Sequence, residues 1–250
     1  MRPAHHRLSA LALLSVLGLA STLPASAETV DEAVARYVAA RGGSEAWQRL
    51  QSLRQTGRFT SFSLENPFEV LAQRPNLYRR RAVSLDGPYT HGFDGKEPYW
   101  IQPFEENVPK KPDAPYDGLV TREAEFEPAL MDYRAKGHRA ELLGPGDIDG
   151  EVTVQIKLIR QDGSEEIWHL DPKTGLEIAV DSTTWDFTLG EAPLAQRAFY
   201  GDWKTFDGVV LPMRIERQWG PRYSLTLVEK VEINAKIAPG AFVRPPAPAK

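Results

Sequence analysis

The 250-residue chain contains no cysteine, only three methionines and only five histidines. Without cysteine there is no disulfide, no thiolate nucleophile and no sulfur-bound zinc. The fold must rest on burial alone, and a chain of this length buries enough surface for that. No cysteine stands near the start to receive a lipid anchor. Long apolar runs are scarce as well. The one candidate, Leu8 to Leu23, follows Arg2 and Arg7 and ends at Pro24-Ala25-Ser26-Ala27. It is shorter than the roughly 20 residues a spanning helix needs. Small residues at those final positions are what a signal peptidase reads. We expect residues 1–27 to be a signal peptide cleaved after Ala27, with a retained membrane anchor as the alternative, and a mature protein that is soluble outside the cytoplasm. Excess positive charge is also missing: 30 basic residues face 34 acidic ones, for a net charge of −4. Nucleic acid is therefore not expected as a partner.

What the chain does have is alternation. Thr29 and Glu32 stand at capping-box spacing, and Val30, Ala33, Val34, Tyr37 and Val38 form one helical stripe. Gly42-Gly43 ends it, and Ser44 caps a shorter helical piece with Trp47 and Leu50. Strand periodicity takes over from Leu53. The rows are Phe68, Val70 and Ala72; Val152, Val154, Ile156 and Leu158; Leu176, Ile178 and Val180; Val209, Leu211, Met213 and Ile215; and Tyr223, Leu225 and Leu227 followed by Val231 and Ile233. Asp94-Gly95, Asp162-Gly163, Thr174-Gly175 and Asp207-Gly208 supply tight turns between strands. Clean alternation marks an antiparallel sheet with one apolar face. The first helix and the segment 121–136, with Phe126, Leu130, Met131 and Tyr133 on a helical period, are the expected covers. The fold class expected is α+β: a large curved antiparallel sheet, an incomplete β-barrel, with helices over its concave face. Residues 28–244 read as one domain and 245–250 as a flexible tail.

Chemistry is harder to find. His91, His138 and His169 lie far apart and lack partners at i+3 or i+4, so no metal site is expected. His169 and Asp171 share a strand face and read as structural. Asp147-Ile148-Asp149-Gly150-Glu151 lacks the distal ligands of a calcium loop and reads as a turn. There is no serine elbow and no phosphate cradle. The acidic clusters at Glu105-Glu106 and Glu123-Glu125-Glu127 read as solvated faces. Alternation puts Arg79 and Arg81 on one face and Arg80 on the other. Solvent-facing arginines are the expectation, with an arginine turned to the sheet interior or to a lipid headgroup as the alternative. No catalytic constellation emerges, no cofactor is implied, and an enzyme is not expected.

Arg41-Gly42-Gly43, Leu53-Arg54-Gln55-Thr56-Gly57, Arg74-Pro75-Asn76-Leu77-Tyr78, Asp94-Gly95-Lys96 with Trp100 and Pro103, and Phe242 before Pro245-Pro246 follow one another along the chain. Together these segments resemble the LolA/LolB-like superfamily, periplasmic carriers that move lipoproteins to the outer membrane. The resemblance implies an incomplete barrel with a helical lid and a cavity for acyl chains of lipoproteins or lipids. It implies a periplasmic monomer that diffuses between an inner-membrane transporter and an outer-membrane acceptor. It also implies that Arg74, in the matching place of the family's Arg-Pro-Asn-Leu segment, latches the lid. Candidate cavity-lining residues are Phe68, Val70, Trp100, Leu130, Tyr133, Val154, Ile156, Met213 and Leu225, with ordinary core as the favoured reading of each taken singly. The alternative function is a periplasmic sensor of envelope lipids or lipoproteins; a hydrolase built on scattered carboxylates is the third reading.

Overall fold

The structure, a computed structural model, describes residues 28–84, 87–105 and 107–247. The expected signal segment lies outside the described residues. Helix α1 (Val30–Ala40) begins with the anticipated capping box: Thr29 Oγ1 accepts from the Glu32 N–H, and Glu32 Oε2 accepts from the Thr29 N–H. Helix α2 (Ser44–Arg49) is capped by Gly43 rather than Ser44, which is already its first helical residue. Gly42 between them has a positive φ of 101°, and a β-carbon there would meet the Gly208 carbonyl oxygen at 1.8 Å. Only glycine lets the chain turn so close to its neighbour.

Among the described residues, twelve strands form one antiparallel sheet. They are β1 (Ser52–Ser61), β2 (Leu64–Gln73), β3 (Leu77–Ser84), β4 (Gly87–Phe93), β5 (Pro98–Ile101), β6 (Arg139–Ile148), β7 (Glu151–Ile159), β8 (Glu165–Leu170), β9 (Glu177–Thr184), β10 (Leu194–Gly201), β13 (Arg214–Trp219) and β14 (Arg222–Ile233). Between β10 and β13 lies a small separate hairpin, β11 (Lys204–Phe206) with β12 (Val209–Leu211). The sheet order is β5-β4-β3-β2-β1-β14-β13-β10-β9-β8-β7-β6. Strands β5 and β6 are its edges, so it is open. It is also curved, because inner-face residues from β5 at one edge to β8 near the other line a single cavity.

Two bulges decide which side chains point inward. In β9, His169 pairs with Ala179 but Leu170 pairs with Glu177, so Ile178 is an extra residue and Glu177 turns inward. In β14, Gly57 pairs with Val228 and Thr56 with Lys230, so Glu229 is skipped. The inner face there changes from Ser224, Thr226 and Val228 to Val231 and Ile233. Gly57 makes this possible, since a β-carbon would come within 2.0 Å of the Leu227 carbonyl oxygen.

The core is divided. Ala33, Val34 and Tyr37 of α1 pack on Ile156, Leu158, Trp168, Leu170 and Val180 of β7 to β9, together with Leu130 and Tyr133. Ala46, Trp47 and Leu50 around α2 pack on Val209, Leu211 and Met131. Phe59, Phe68, Ala82, Met213 and Val228 form a third cluster, and Tyr78, Phe93 and Ala124 a fourth. Helix α3 runs over Tyr116–Glu123, not over 121–136. Pro128 lacks the N–H a helix would need, and Asp132 has a φ of 51°. The chain from Ala129 to Gly137 therefore folds as successive turns. Among the described residues no helix is long and apolar enough to cross a membrane.

Candidate functional site: a charged and aromatic cavity

A cavity of about 630 Å³ lies against the inner face of the sheet. Such a volume is in the usual range for small-molecule pockets, about 300–1,000 Å³. Its walls include Phe59 of β1, Arg80 of β3, Tyr89 and His91 of β4, Trp100 of β5, Trp168 of β8 and Arg217 of β13. Helix α3 and the turns after it contribute Tyr116, Leu119, Val120, Glu123, Phe126 and Glu127. A string of ring contacts crosses it: Phe59–Tyr89 at 6.2 Å, Tyr89–His91 at 5.2 Å, His91–Trp100 at 6.4 Å, Trp100–Tyr116 at 5.4 Å and Tyr116–Phe187 at 6.5 Å. Through Tyr116, the edge strand β5 is thus joined to the connection after β9.

Charges at one end of the cavity are paired with one another, although Glu177 Oε2 has no hydrogen-bond partner. Arg41 is 5% exposed, and its Nη1 donates to Glu177 Oε1 at 2.5 Å and to the Tyr37 hydroxyl at 2.9 Å. Its Nε donates to the Val210 carbonyl at 3.0 Å, and the guanidinium lies 5.0 Å from the Trp203 ring centroid. Arg160 similarly bridges Glu166 and Glu125, each at 2.7 Å. Burial alone would raise the Glu125 carboxyl, but Lys136 and Arg160 outweigh it and hold the group below the usual carboxylate range.

The other end is built differently. Arg80 is 9% exposed and stacks 4.8 Å from the Phe59 centroid, yet its Nε and Nη2 have no hydrogen-bond partner. Beside it, Glu123 of α3 accepts from His91 Nδ1 at 3.1 Å, while His91 Nε2 lies 3.2 Å from Gln102 Nε2. Burial would raise the Glu123 carboxyl; its bond to His91 and the fields of His91, Arg80 and Arg217 prevail and bring it down to about 2.

Of the residues singled out from the sequence, Trp100 lines this cavity. Leu130, Tyr133 and Ile156 are buried in the α1 core, with Val154 packed against it. Phe68 and Met213 are buried in the third cluster, with Val70 beside them. Leu225 is on the opposite face from the cavity, because the β14 bulge lies beyond it and its neighbour Ser224 points inward. Arg74 ties three segments together. Its Nε donates to the Leu50 carbonyl at 2.8 Å, its Nη2 donates to the Trp47 carbonyl at 2.7 Å and pairs with Glu127, and its guanidinium sits 4.8 Å from the Phe126 centroid. The middle arginine of Arg79-Arg80-Arg81 is the one turned inward; Arg79 bonds the Ala241 carbonyl and Glu69 instead. Sequence reasoning passed over Glu123, Glu177 and Arg217. The first reads as part of a solvated acidic run, and nothing local announces the bulge that redirects the second. His169 is held on the outer face by Asp181 at 3.0 Å, not by Asp171, which instead accepts from the Lys173 N–H of the following turn. No group of three His, Asp or Glu among the described residues is arranged to hold a metal ion.

No protein-family model matches the chain, and no curated protein matches its sequence. Solved structures do resemble it. A DUF1329 family protein from Desulfovibrio piger superposes with a TM-score of 0.57 at 10% identity, covering 86% of this chain and 97% of that one. A LolA superfamily protein from Nitrosomonas europaea gives 0.56 at 12% identity, covering 87% and 98%. A putative outer membrane lipoprotein-sorting protein domain from Vibrio parahaemolyticus gives 0.51 at 12% identity, covering 85% and 95%. The fold is LolA-like: an open, incomplete antiparallel barrel.

Proposed function

We propose that the protein binds the acyl portion of a lipid or lipoprotein in this cavity and carries it through the periplasm toward the outer membrane, without covalent chemistry. The observation that carries the reading is the cavity itself. A dry, filled interior would leave no place for a ligand, whereas about 630 Å³ bordered by six linked rings is matched to an apolar chain. Each methylene removed from water contributes about 0.8 kcal/mol, so a chain of sixteen carbons carries roughly 12 kcal/mol. Partial enclosure with a movable cover allows both shielding and release. The cover in this reading is α3 with the following turns, and Arg74 is its latch: it grips the end of α2 on one side and Glu127 on the other. Candidate lining residues beyond Trp100 would join the site only if the cover and the α1 core part as the ligand enters. A transporter and an acceptor at the two membranes are the partners this role requires.

The test is to purify the mature protein from its native envelope and identify co-purifying molecules by lipid and protein mass spectrometry. Lipid or lipoprotein at near-stoichiometric amounts is expected. A stoichiometric protein partner with no lipid, and no uptake of added lipid, would overturn the carrier.

A further inference from the structure

Arg80 poses a specific problem. A guanidinium is charged at every physiological pH and offers five donors. Burying any of them without an acceptor is costly, and buried polar groups are nearly always satisfied; here the Tyr89 hydroxyl meets only part of the demand. The two unpaired atoms are Nε and Nη2. These form the side of the guanidinium fork that engages a carboxylate through two parallel hydrogen bonds. Two further features belong to the same place. In the inner-face row, Arg80 pairs across strands with His91 and His91 with Trp100, whose buried indole Nε1 also lacks a partner. Arg217 enters the cavity from β13, and its field and that of Arg80 converge on Glu123. Two guanidinium groups therefore face one carboxylate, which is already bonded to His91. This end of the cavity has positive charge left over and donors left open, with aromatic surface next to them.

We propose that the open fork of Arg80, assisted by Arg217, receives the carboxylate head of a single-chain acyl amphiphile whose tail lies along the ring string toward Tyr116 and Phe187. This rests on the carrier reading and narrows it to a ligand class, a long-chain carboxylic acid. Arg80 is then unsatisfied because it belongs to a receptor: its acceptors arrive with the ligand. The paired arginines Arg41 and Arg160 are not available for this role, since carboxylates of the chain already occupy them.

The experiment is calorimetric titration of the mature protein with dodecanoate, with methyl dodecanoate and with acetate. We expect dodecanoate to bind at least tenfold more tightly than its ester, a difference of about 1.4 kcal/mol. Arg80→Gln should remove that preference, so that acid and ester then bind within threefold of each other. If acid and ester bind the native protein equally, or Arg80→Gln leaves the preference intact, the headgroup site is refuted and the carrier reading survives. If neither binds, the carrier reading fails and this inference fails with it. If acetate alone binds as tightly as dodecanoate, the site is one for free anions and the amphiphile assignment is overturned. Should Arg80→Gln not fold, Arg217→Gln decides: a preference reduced at least threefold supports the site, and an unchanged one refutes it.

Discussion

Arg41 and Arg80 are both buried at the edge of the same cavity, and they are opposites. Arg41 is bonded to a carboxylate, a phenol and a carbonyl and is flanked by the Tyr37, Trp47 and Trp203 rings. Arg80 has the Phe59 ring beneath it and the Tyr89 hydroxyl beside it, and two of its donors have no partner. The first is part of what holds α1, the β11–β12 hairpin and β9 together. A buried charge satisfied by its own chain is architecture, whereas one left open is a cost that stability alone would have removed.

Four substitutions test that contrast. The largest effect is expected from Glu177→Ala, which strands Arg41 as an uncompensated buried charge. Urea unfolding should show a loss of about 3–5 kcal/mol, and a loss below 1 kcal/mol would erase the distinction. Arg74→Leu removes charge-assisted bonds to two carbonyls and a carboxylate at a half-buried site, so about 1.5–3 kcal/mol should be lost. On the carrier reading, stopped-flow measurement should also show faster ligand release; unchanged uptake and release would dispose of the latch. Acid stability reports on Glu123. Its carboxyl in the folded protein is held down to about 2, below the roughly 4.3 of an unfolded chain. Its contribution is therefore fully present above about pH 4.3 and is lost as pH falls toward 2. In Glu123→Gln the fall in melting temperature between pH 5 and pH 2.5 should be shallower than in the native protein; an identical slope would mean that Glu123 is not engaged. The smallest effect is expected at Arg80. Arg80→Met should leave the unfolding free energy unchanged or raise it, and a loss above about 1 kcal/mol would show that Arg80 is structural after all.

Much of the architecture is visible in the amino-acid order. The Thr29–Glu32 capping box, the Asp-Gly and Thr-Gly turns and the alternation of β2 and β7 all occur where residue chemistry puts them. Alternation also places Arg80 apart from its two neighbours. What it does not convey is which rows of the inner face remain open. Ile156 and Leu130 look like cavity residues by hydrophobicity, but α1 lies on them and seals that part dry. The open part is bordered by Tyr89, His91, Glu123 and Arg217, residues that a search for greasy side chains passes over. Bulges are the second reason. A single extra residue, Ile178, moves Glu177 from the outside to the inside, and the skipped Glu229 leaves Leu225 on the outside. Neither irregularity has a local signature apart from Gly57. The third is Pro128, which shortens the expected 121–136 helix to the turns that border the cavity.

The rings around the cavity have one more consequence, and it is optical. The chain has six tryptophans, and five of them, Trp47, Trp100, Trp168, Trp185 and Trp219, border the cavity. Indole emission shifts to the blue and brightens when water is displaced from beside the ring. The protein therefore carries its own fluorophores at the place where any guest would settle, and filling or emptying can be followed in real time with no label attached.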